Sequence, residues 1–267
     1  MNWCWAEREA IMNSAREGIS FYLFDFDDNI MILNTHIYVR NTTTNQERAV
    51  TTGEYAILQA QLGHPGPWED YALFDGSFRD FRDVPASSMA PGEHQKFVKD
   101  VADAIDRAPS MWQGPSWKFF VYACEQQRPV SLITARGHSP ETLKEGISLL
   151  VNRSLLPRPP RYFRVYAVGN ERVRLELGDA RNELTIPALK RRAIIITVDA
   201  ALSEFGEGQR LRFGISDDDP QNVSLAIRAM CECKKRHPDE RFFVINTHMN
   251  EEVKMEIFPV DSPAPRQ

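Results

Sequence analysis

The chain has 267 residues, 42% of them apolar and 26% charged, which is enough for one large α/β domain or a core plus a smaller module. The formal net charge of −5 argues against a general nucleic-acid or membrane-surface binder, and no apolar run approaches the roughly 20 residues of a membrane span. The four cysteines lack the spacing of a disulfide framework or a zinc site, and the N-terminus lacks the pattern of a signal peptide. We therefore expect a cytoplasmic protein with free thiols.

The first part of the chain contains a predicted helix, a strongly apolar strand and a hairpin. Residues 5–17 have a helical pattern, and the run Phe21-Tyr-Leu-Phe24 predicts a buried strand. Two β-rich runs around a polar turn predict a hairpin over 35–52, and a short helix over 52–61 follows. Residues 63–92 are rich in Pro, Gly and aromatic residues, which indicates an ordered but irregular segment.

Beyond this segment, helices and strands alternate. The predicted helices cover 95–107, 115–127, 139–152, 186–205 and 221–237, the predicted strands cover 129–136, 162–168, 211–215 and 241–246, and 169–185 is predicted to form a hairpin. Strands that alternate with helices pair in parallel through right-handed crossovers. The predicted fold is therefore α/β, with a doubly wound, mostly parallel, Rossmann-like sheet. Ligands of such sheets bind at the carboxyl ends of the strands.

Polar residues follow three of the predicted strands. Asp25, Asp27 and Asp28 come after the first strand, Thr134 comes after the strand at 129–136, and Ser216-Asp-Asp-Asp219 comes after the strand at 211–215. Crowded carboxylates repel one another, and a hard cation such as Mg²⁺ would offset that repulsion. The first cluster taken alone is equally compatible with an acidic turn, because Asp and Asn are also common turn residues.

Two acid clusters at the same edge of a sheet would form one acidic pocket that suits phosphoryl transfer. One carboxylate cluster would bind Mg²⁺, which screens the charge of an incoming phosphate, and another carboxylate could then attack phosphorus. A hydroxyl and a backbone N–H group at the second strand end could hold the phosphate oxygens. A lysine would neutralise the remaining negative charge.

These motifs resemble those of the haloacid dehalogenase superfamily of phosphatases and phosphotransferases. Asp25-Phe-Asp27 after a hydrophobic strand resembles the first motif, and the strand Ser131-Leu-Ile-Thr134 resembles the second. The run Ser216-Asp-Asp-Asp-Pro-Gln-Asn222 is similar to the Asp-Asp-x-Pro-x-Asn form of the fourth motif. The resemblance covers about residues 18–250 and implies the Rossmann-like fold of that superfamily.

The resemblance implies a Mg²⁺-dependent phosphomonoester hydrolase that works through an aspartyl-phosphate. Asp25 would be the nucleophile, and Asp27 would protonate the leaving oxygen and then activate the hydrolytic water. Asp25, the carbonyl group of Asp27 and Asp217 would bind Mg²⁺, and Asp218 would bind the metal or orient a water molecule. The alternatives are a phosphotransferase or a polynucleotide end phosphatase of the same fold, or a non-catalytic binding or regulatory protein.

The resemblance also implies a set of residues that bind the phosphate. Thr134 would donate its hydroxyl to the transferring phosphoryl group, and the backbone of Ala135 would add a second donor. The third motif of the superfamily is a lone lysine upstream of the fourth. Lys190 has the most suitable spacing for that role, and Lys144 and Arg191 are the alternatives.

Two positions depart from the pattern of the superfamily. Asn29 occupies a position where the superfamily often has Thr or Gly. Asp219 adds a third acid to the fourth motif, so the sequence leaves open which of the three acids binds the metal.

The long segment between the first and second motifs resembles the cap insertions of that superfamily. About a hundred residues separate Asn29 from Thr134, which is more than a sheet crossover needs. We therefore predict a core domain of residues 1–34 and 110–267 and an inserted cap or flap of residues 35–109. A cap would close over a small phosphorylated substrate, whereas a flap would leave the site open to a macromolecule. The acidic balance of the insertion argues against nucleic acid.

Overall fold

The computed structural model describes residues 18–248 and 251–259, so the helix predicted over 5–17 lies outside the described residues. The strands in this part are β1 (Ile19–Phe24), β2 (Ile37–Asn41), β3 (Glu47–Val50), β4 (Tyr71–Ala72), β5 (Pro129–Thr134), β6 (Arg161–Ala167), β7 (Leu211–Asp217), β8 (Arg241–Asn246) and β9 (Val253–Ile257). The α-helices are α1 (Thr52–Leu58), α2 (Lys96–Ile105), α3 (Trp117–Glu125), α4 (Pro140–Asn152), α5 (Glu171–Glu176), α6 (Ile186–Phe205) and α7 (Pro220–Arg236). Short 3₁₀ turns lie at Gln59–Gln61, Arg79–Phe81, Ala86–Ser88 and Pro109–Met111.

Six strands form the main sheet in the order β6-β5-β1-β7-β8-β9. All neighbouring pairs are parallel except β8 and β9, which are antiparallel. This arrangement confirms the predicted α/β fold with a mostly parallel sheet. Because β1 lies between β5 and β7, the carboxyl ends of these three strands meet at one edge, where the acidic residues follow.

Side chains of β1 alternate between two hydrophobic layers, one on each face of the sheet. Phe21 and Leu23 pack in the layer that contains the buried sides of α6 and α7. Phe24 packs in the opposite layer, against residues of α2, α3 and α4. A strand that is buried on both faces reads as a continuous apolar run, which is why the sequence alone indicates β1 so clearly.

A separate small sheet of order β3-β2-β4 is inserted after β1 and has a hydrophobic cluster of its own. The cluster is centred on Ile37, Val39 and Val50. Helix α2, although it lies within the predicted insertion at 35–109, packs its apolar side in the core of the main sheet, together with α4. The exact division of the chain into a core and a cap stays a prediction.

Two local predictions differ from the structure. The hairpin predicted over 169–185 is wrong, because the described residues there form the short helix α5 and a loop. Asn170 caps that helix, and its side-chain oxygen accepts hydrogen bonds from the backbone N–H groups of Arg172 and Val173. The edge strand β9 is not predicted from the sequence; lysine and glutamate alternate in it with apolar residues, and its exposure decreases from Val253 to the buried Ile257.

The sequence also predicts free thiols and no membrane-spanning segment. Cys124, Cys231 and Cys233 are free thiols in the structure. Within the described ranges, no helix is long and apolar enough to cross a bilayer.

Candidate functional site

Three carboxylates converge at the carboxyl ends of β1 and β7. Phe24 pairs with Ser216 in the register of these parallel strands, so Asp25 and Asp217 follow at the same level. One carboxylate oxygen from each of Asp25, Asp217 and Asp218 lies within 4.8 Å of the others. Asp25 and Asp217 are 7% and 3% exposed, so two members of this acidic triad are buried.

Lys190 joins the triad from helix α6. Its Nζ donates hydrogen bonds to Oδ1 of Asp25 at 2.9 Å and to Oδ2 of Asp217 at 3.2 Å. Burial alone would lower the pKa of Lys190, but the carboxylates of Asp217 and Asp25 outweigh it and hold that pKa above its ordinary value. The lysine is therefore a fixed positive charge.

The two alternative basic residues lie in other surroundings. The Lys144 ammonium lies over the ring of Tyr162, and Arg191 forms an ion pair with Glu232 on α7. Of the three candidates, Lys190 is the one whose charged group contacts the acidic triad.

When all three carboxyls are ionised, the triad carries more negative charge than the single ammonium of Lys190 can balance. Burial raises the pKa of Asp25 well above its ordinary value, the charge of Lys190 opposes that rise, and Asp217, Asp218 and Asp27 add to it. Burial and the neighbouring carboxylates of Asp217 and Asp28 raise the pKa of Asp218 to about 8. Buried oxygen donors in excess negative charge fit a hard divalent cation, whose identity the donor set alone does not fix.

The three acids of the loop after β7 have different roles. Oδ1 of Asp217 accepts hydrogen bonds from the backbone N–H of Asp219 at 3.1 Å and from Nδ2 of Asn222 at 3.3 Å. The Asp219 carboxylate caps helix α7 and accepts the N–H of Gln221 at 2.8 Å. Asp217 and Asp218 thus belong to the triad, whereas Asp219 forms the helix cap.

Asp27 lies beside Thr134, and its carboxylate contacts Arg136 rather than the triad. Nη2 of Arg136 donates to Oδ1 of Asp27 at 2.6 Å, and Nε of Arg136 lies 3.0 and 2.9 Å from the two oxygens. The Thr134 hydroxyl points at Oδ2 of Asp27 from 3.4 Å. Ala135, the other predicted phosphate ligand, is exposed in the same loop. The metal contact expected of Asp27 involves its backbone carbonyl and stays a prediction.

Asn29 connects the ends of several elements below the acidic loop. Its Nδ2 donates to the backbone oxygen of Asp25 at 3.0 Å and to the backbone oxygen of Ser216 at 3.1 Å. Its Oδ1 accepts hydrogen bonds from the hydroxyls of Ser116 at 2.7 Å and Thr247 at 2.8 Å. An amide both donates and accepts here, which accounts physically for asparagine at this departure from the superfamily pattern.

Asp28 forms the turn between the acidic loop and the insertion. Its backbone is in the left-handed region, with φ of 57°, as an aspartate in a turn tolerates. Burial raises the pKa of Asp28, and a hydrogen bond with the side chain of Thr52, at the start of α1, opposes that rise. Asp28 therefore has a turn role and an added contact to the insertion.

Arg136 is a site residue that the sequence motifs do not single out. A signal was available, because residues two apart in an extended chain point to the same side, and Arg136 stands two positions after Thr134. The role of Asn29 was not recognisable in this way, because Ser116, Ser216 and Thr247 are all distant along the chain.

No protein-family model matches this chain, and no curated protein or solved structure in the comparisons matches it. The structure has a mostly parallel α/β sheet with an acidic triad that could hold a metal ion. The likeness to the haloacid dehalogenase superfamily rests on the motifs.

Proposed function

We propose that this chain is a Mg²⁺-dependent phosphomonoester hydrolase that works through an aspartyl-phosphate at Asp25, with a small phosphorylated molecule as its substrate. The observation that supports this most is the convergence of Lys190 with Asp25 and Asp217 at adjacent strand ends. A lysine held at 2.9 Å from a buried aspartate, beside two further acids, gives that aspartate a fixed orientation. Packing alone does not require such a group of charges.

The residues present fit a magnesium ion. Asp25, Asp217 and Asp218 supply oxygen donors that are close enough to share one cation. Bound Mg²⁺ would supply positive charge that draws in a phosphate dianion and polarises its oxygens. Lys190 contributes one further positive charge, which Asp25 and Asp217 hold beside the donors.

The proposed reaction has two steps. In the first, an oxygen of Asp25 attacks phosphorus, the bond from phosphorus to the leaving oxygen breaks, and Asp27 gives that oxygen a proton. In the second, water attacks the phosphorus of the aspartyl-phosphate, Asp27 takes the proton of that water, and the bond from phosphorus to the Asp25 oxygen breaks, which releases inorganic phosphate and restores the Asp25 carboxylate. The hydroxyl of Thr134 and the ammonium of Lys190 offset the charge on the phosphoryl oxygens throughout.

Phosphate release from p-nitrophenyl phosphate and a panel of phosphorylated metabolites, with Mg²⁺ and with a chelator, tests the proposal. We expect Mg²⁺-dependent release by the wild type and a loss in kcat of about 10³-fold or more in Asp25→Asn, because the nucleophile is removed. Beryllofluoride binding should disappear in the same variant.

Asp219→Asn is the matched control, because it changes an acid of the neighbouring loop that caps a helix and lies outside the triad. This variant should retain activity within a few-fold of the wild type. If no compound gives Mg²⁺-dependent release and Asp25→Asn behaves like the wild type, the proposed function is wrong.

A further inference from the structure

Arg136 is a fully buried arginine whose guanidinium contacts the carboxylate of Asp27. Two of its nitrogens reach that carboxylate, in a fork that fixes the orientation of the acid as well as its position. The guanidinium carbon also lies 4.8 Å from the ring centres of both Phe81 and Phe97. A planar cation held between two rings and a carboxylate has little freedom to move.

A second set of contacts holds the same guanidinium nitrogen, Nη2, that binds Oδ1 of Asp27. Nη2 of Arg136 donates to the Thr35 hydroxyl at 2.8 Å, and that hydroxyl donates to Oδ2 of Asp100 at 2.7 Å. Thr35 and Asp100 are buried, and Lys96 forms an ion pair with Asp100. Thr35, Lys96 and Asp100 all come from the chain between β1 and α3, within the region predicted to be the insertion.

We propose that Arg136 is a positioning residue for Asp27 in the reaction above, so this inference rests on the proposed function. Both oxygens of Asp27 contact Arg136: Oδ1 accepts from Nη2 at 2.6 Å and from Nε at 3.0 Å, whereas Oδ2 accepts from Nε alone at 2.9 Å and faces the Thr134 hydroxyl. Oδ1 is therefore the more firmly held oxygen, and Oδ2 is the oxygen that exchanges a proton with the leaving group and with water. Thr35 and Asp100 set the position of Arg136, so the inserted region helps to organise proton transfer at the strand ends.

Replacing a residue that positions Asp27 should change the kinetics differently from replacing a residue that only stabilises the fold. An alkyl leaving group needs a proton from Asp27, whereas p-nitrophenolate leaves without one. Misplacing Asp27 should therefore slow the first step with an alkyl phosphate and leave it nearly unchanged with p-nitrophenyl phosphate. The second step needs Asp27 as a base with either substrate, so the aspartyl-phosphate should accumulate when p-nitrophenyl phosphate is used.

The test compares kcat/KM for 2-glycerol phosphate and p-nitrophenyl phosphate, together with acid-quenched phosphoenzyme, in Arg136→Lys and Thr35→Val. For Arg136→Lys we expect kcat/KM for the alkyl phosphate to fall about 100-fold, the value for p-nitrophenyl phosphate to change little, and phosphoenzyme to accumulate. Thr35→Val should lower the ratio of kcat/KM for the alkyl phosphate to kcat/KM for p-nitrophenyl phosphate by about tenfold. Thr35→Val keeps both Arg136 and Asp27, so it carries the test if Arg136→Lys does not fold.

Arg174→Lys is the matched control, because Arg174 of helix α5 forms a largely buried ion pair with Asp179 at 2.9 Å, outside the proposed site. It should leave the ratio of the two kcat/KM values unchanged. A proportional loss with both substrates in Arg136→Lys and Thr35→Val, without phosphoenzyme, would overturn the positioning role while the wild type remains an active phosphatase. A wild type that forms no phosphoenzyme and releases no phosphate overturns the proposed function, and the role of Arg136 with it.

Discussion

Asp218 is a residue whose ionisation costs stability unless a cation is bound. Its pKa of about 8 in the folded protein lies far above the value of about 3.9 for an aspartate in an unfolded chain. Between these two values the folded state binds more protons than the unfolded state. The free energy of unfolding therefore falls as the pH rises through this range, and the stabilising effect is lost above the folded pKa.

We predict that the metal-free wild type loses stability between pH 5 and 8 more steeply than Asp218→Asn does. One proton that is bound only in the folded state corresponds to about 1.4 kcal/mol per pH unit. Urea unfolding of both proteins in the presence of chelator measures the difference. Mg²⁺ should raise the stability of the wild type most at pH 8, because the metal binds the ionised carboxylates. Equal slopes for the two proteins would contradict this assignment of the proton.

For single residues, the sequence shows which charged side chains belong to the site, but it does not show most of the groups that they contact. Asp25, Asp217 and Lys190 stand out because charged groups directly follow apolar strands or fit a motif spacing. Arg136 and Asn29 are recognised only in the folded chain, because the groups that they bind come from distant segments. Hydrogen bonds between such segments leave no local pattern in a sequence.

Helix α6 determines which of two adjacent basic residues enters the site. Lys190 lies on the same side as Ala193, Thr197 and Ala201, which are spaced at helical intervals and buried. Arg191 is the next residue and points about 100° away, toward Glu232. The Thr185 cap and the proline in the first turn fix where the helix begins, and therefore which residue faces the acids.

We predict that Lys190→Met costs about 3–5 kcal/mol of stability without metal, because it leaves two buried carboxylates unpaired. Arg191→Met removes an exposed ion pair and should cost at most about 1 kcal/mol. Urea unfolding at pH 7.5 with chelator compares the two variants. If the two losses are equal, the ammonium of Lys190 is not the counter-charge of the triad.

Element boundaries are predictable from the sequence where local chemistry sets them. Serine or aspartate before a proline marks the starts of α4 and α7, and their side chains cap those helices in the structure. The prediction for the segment after β6 is wrong because helix α5, which Asn170 caps, is too short to show a periodic pattern in the sequence. The edge strand β9 depends on its pairing with β8, which a local pattern does not reveal.

The inserted region is attached to the main sheet at the loop that follows β5. The backbone N–H of Gly137 donates to the oxygen of Phe81 at 2.8 Å, and the N–H of Ser139 donates to Oδ2 of Asp83 at 2.8 Å. These bonds lie next to Thr134 and Arg136. We infer that this part of the insertion is a fixed wall of the site, so any closure would involve other parts of it.

We predict that the amides of Gly137 and Ser139 exchange slowly with deuterium and that Asp83→Ala raises the exchange of both by about tenfold, because one shared attachment is lost. Asp80→Ala is the control, since the Asp80 carboxylate accepts a bond from Tyr38 within the insertion. It should leave the two amides protected. Amides that exchange in the wild type as fast as unprotected peptide groups would contradict a fixed attachment.

The central place of β1 in the sheet also bears on how the chain is made. Its two neighbours begin at Pro129 and Leu211, so β1 leaves the ribosome long before either can pair with it. At ordinary rates of synthesis the wait for the second neighbour is roughly 10 to 40 seconds. During that time the run Phe21-Tyr-Leu-Phe24 lacks both its partners in the sheet, and such a segment is a natural binding site for chaperones. The nucleophile of the proposed reaction is therefore synthesised early and acquires its surroundings last.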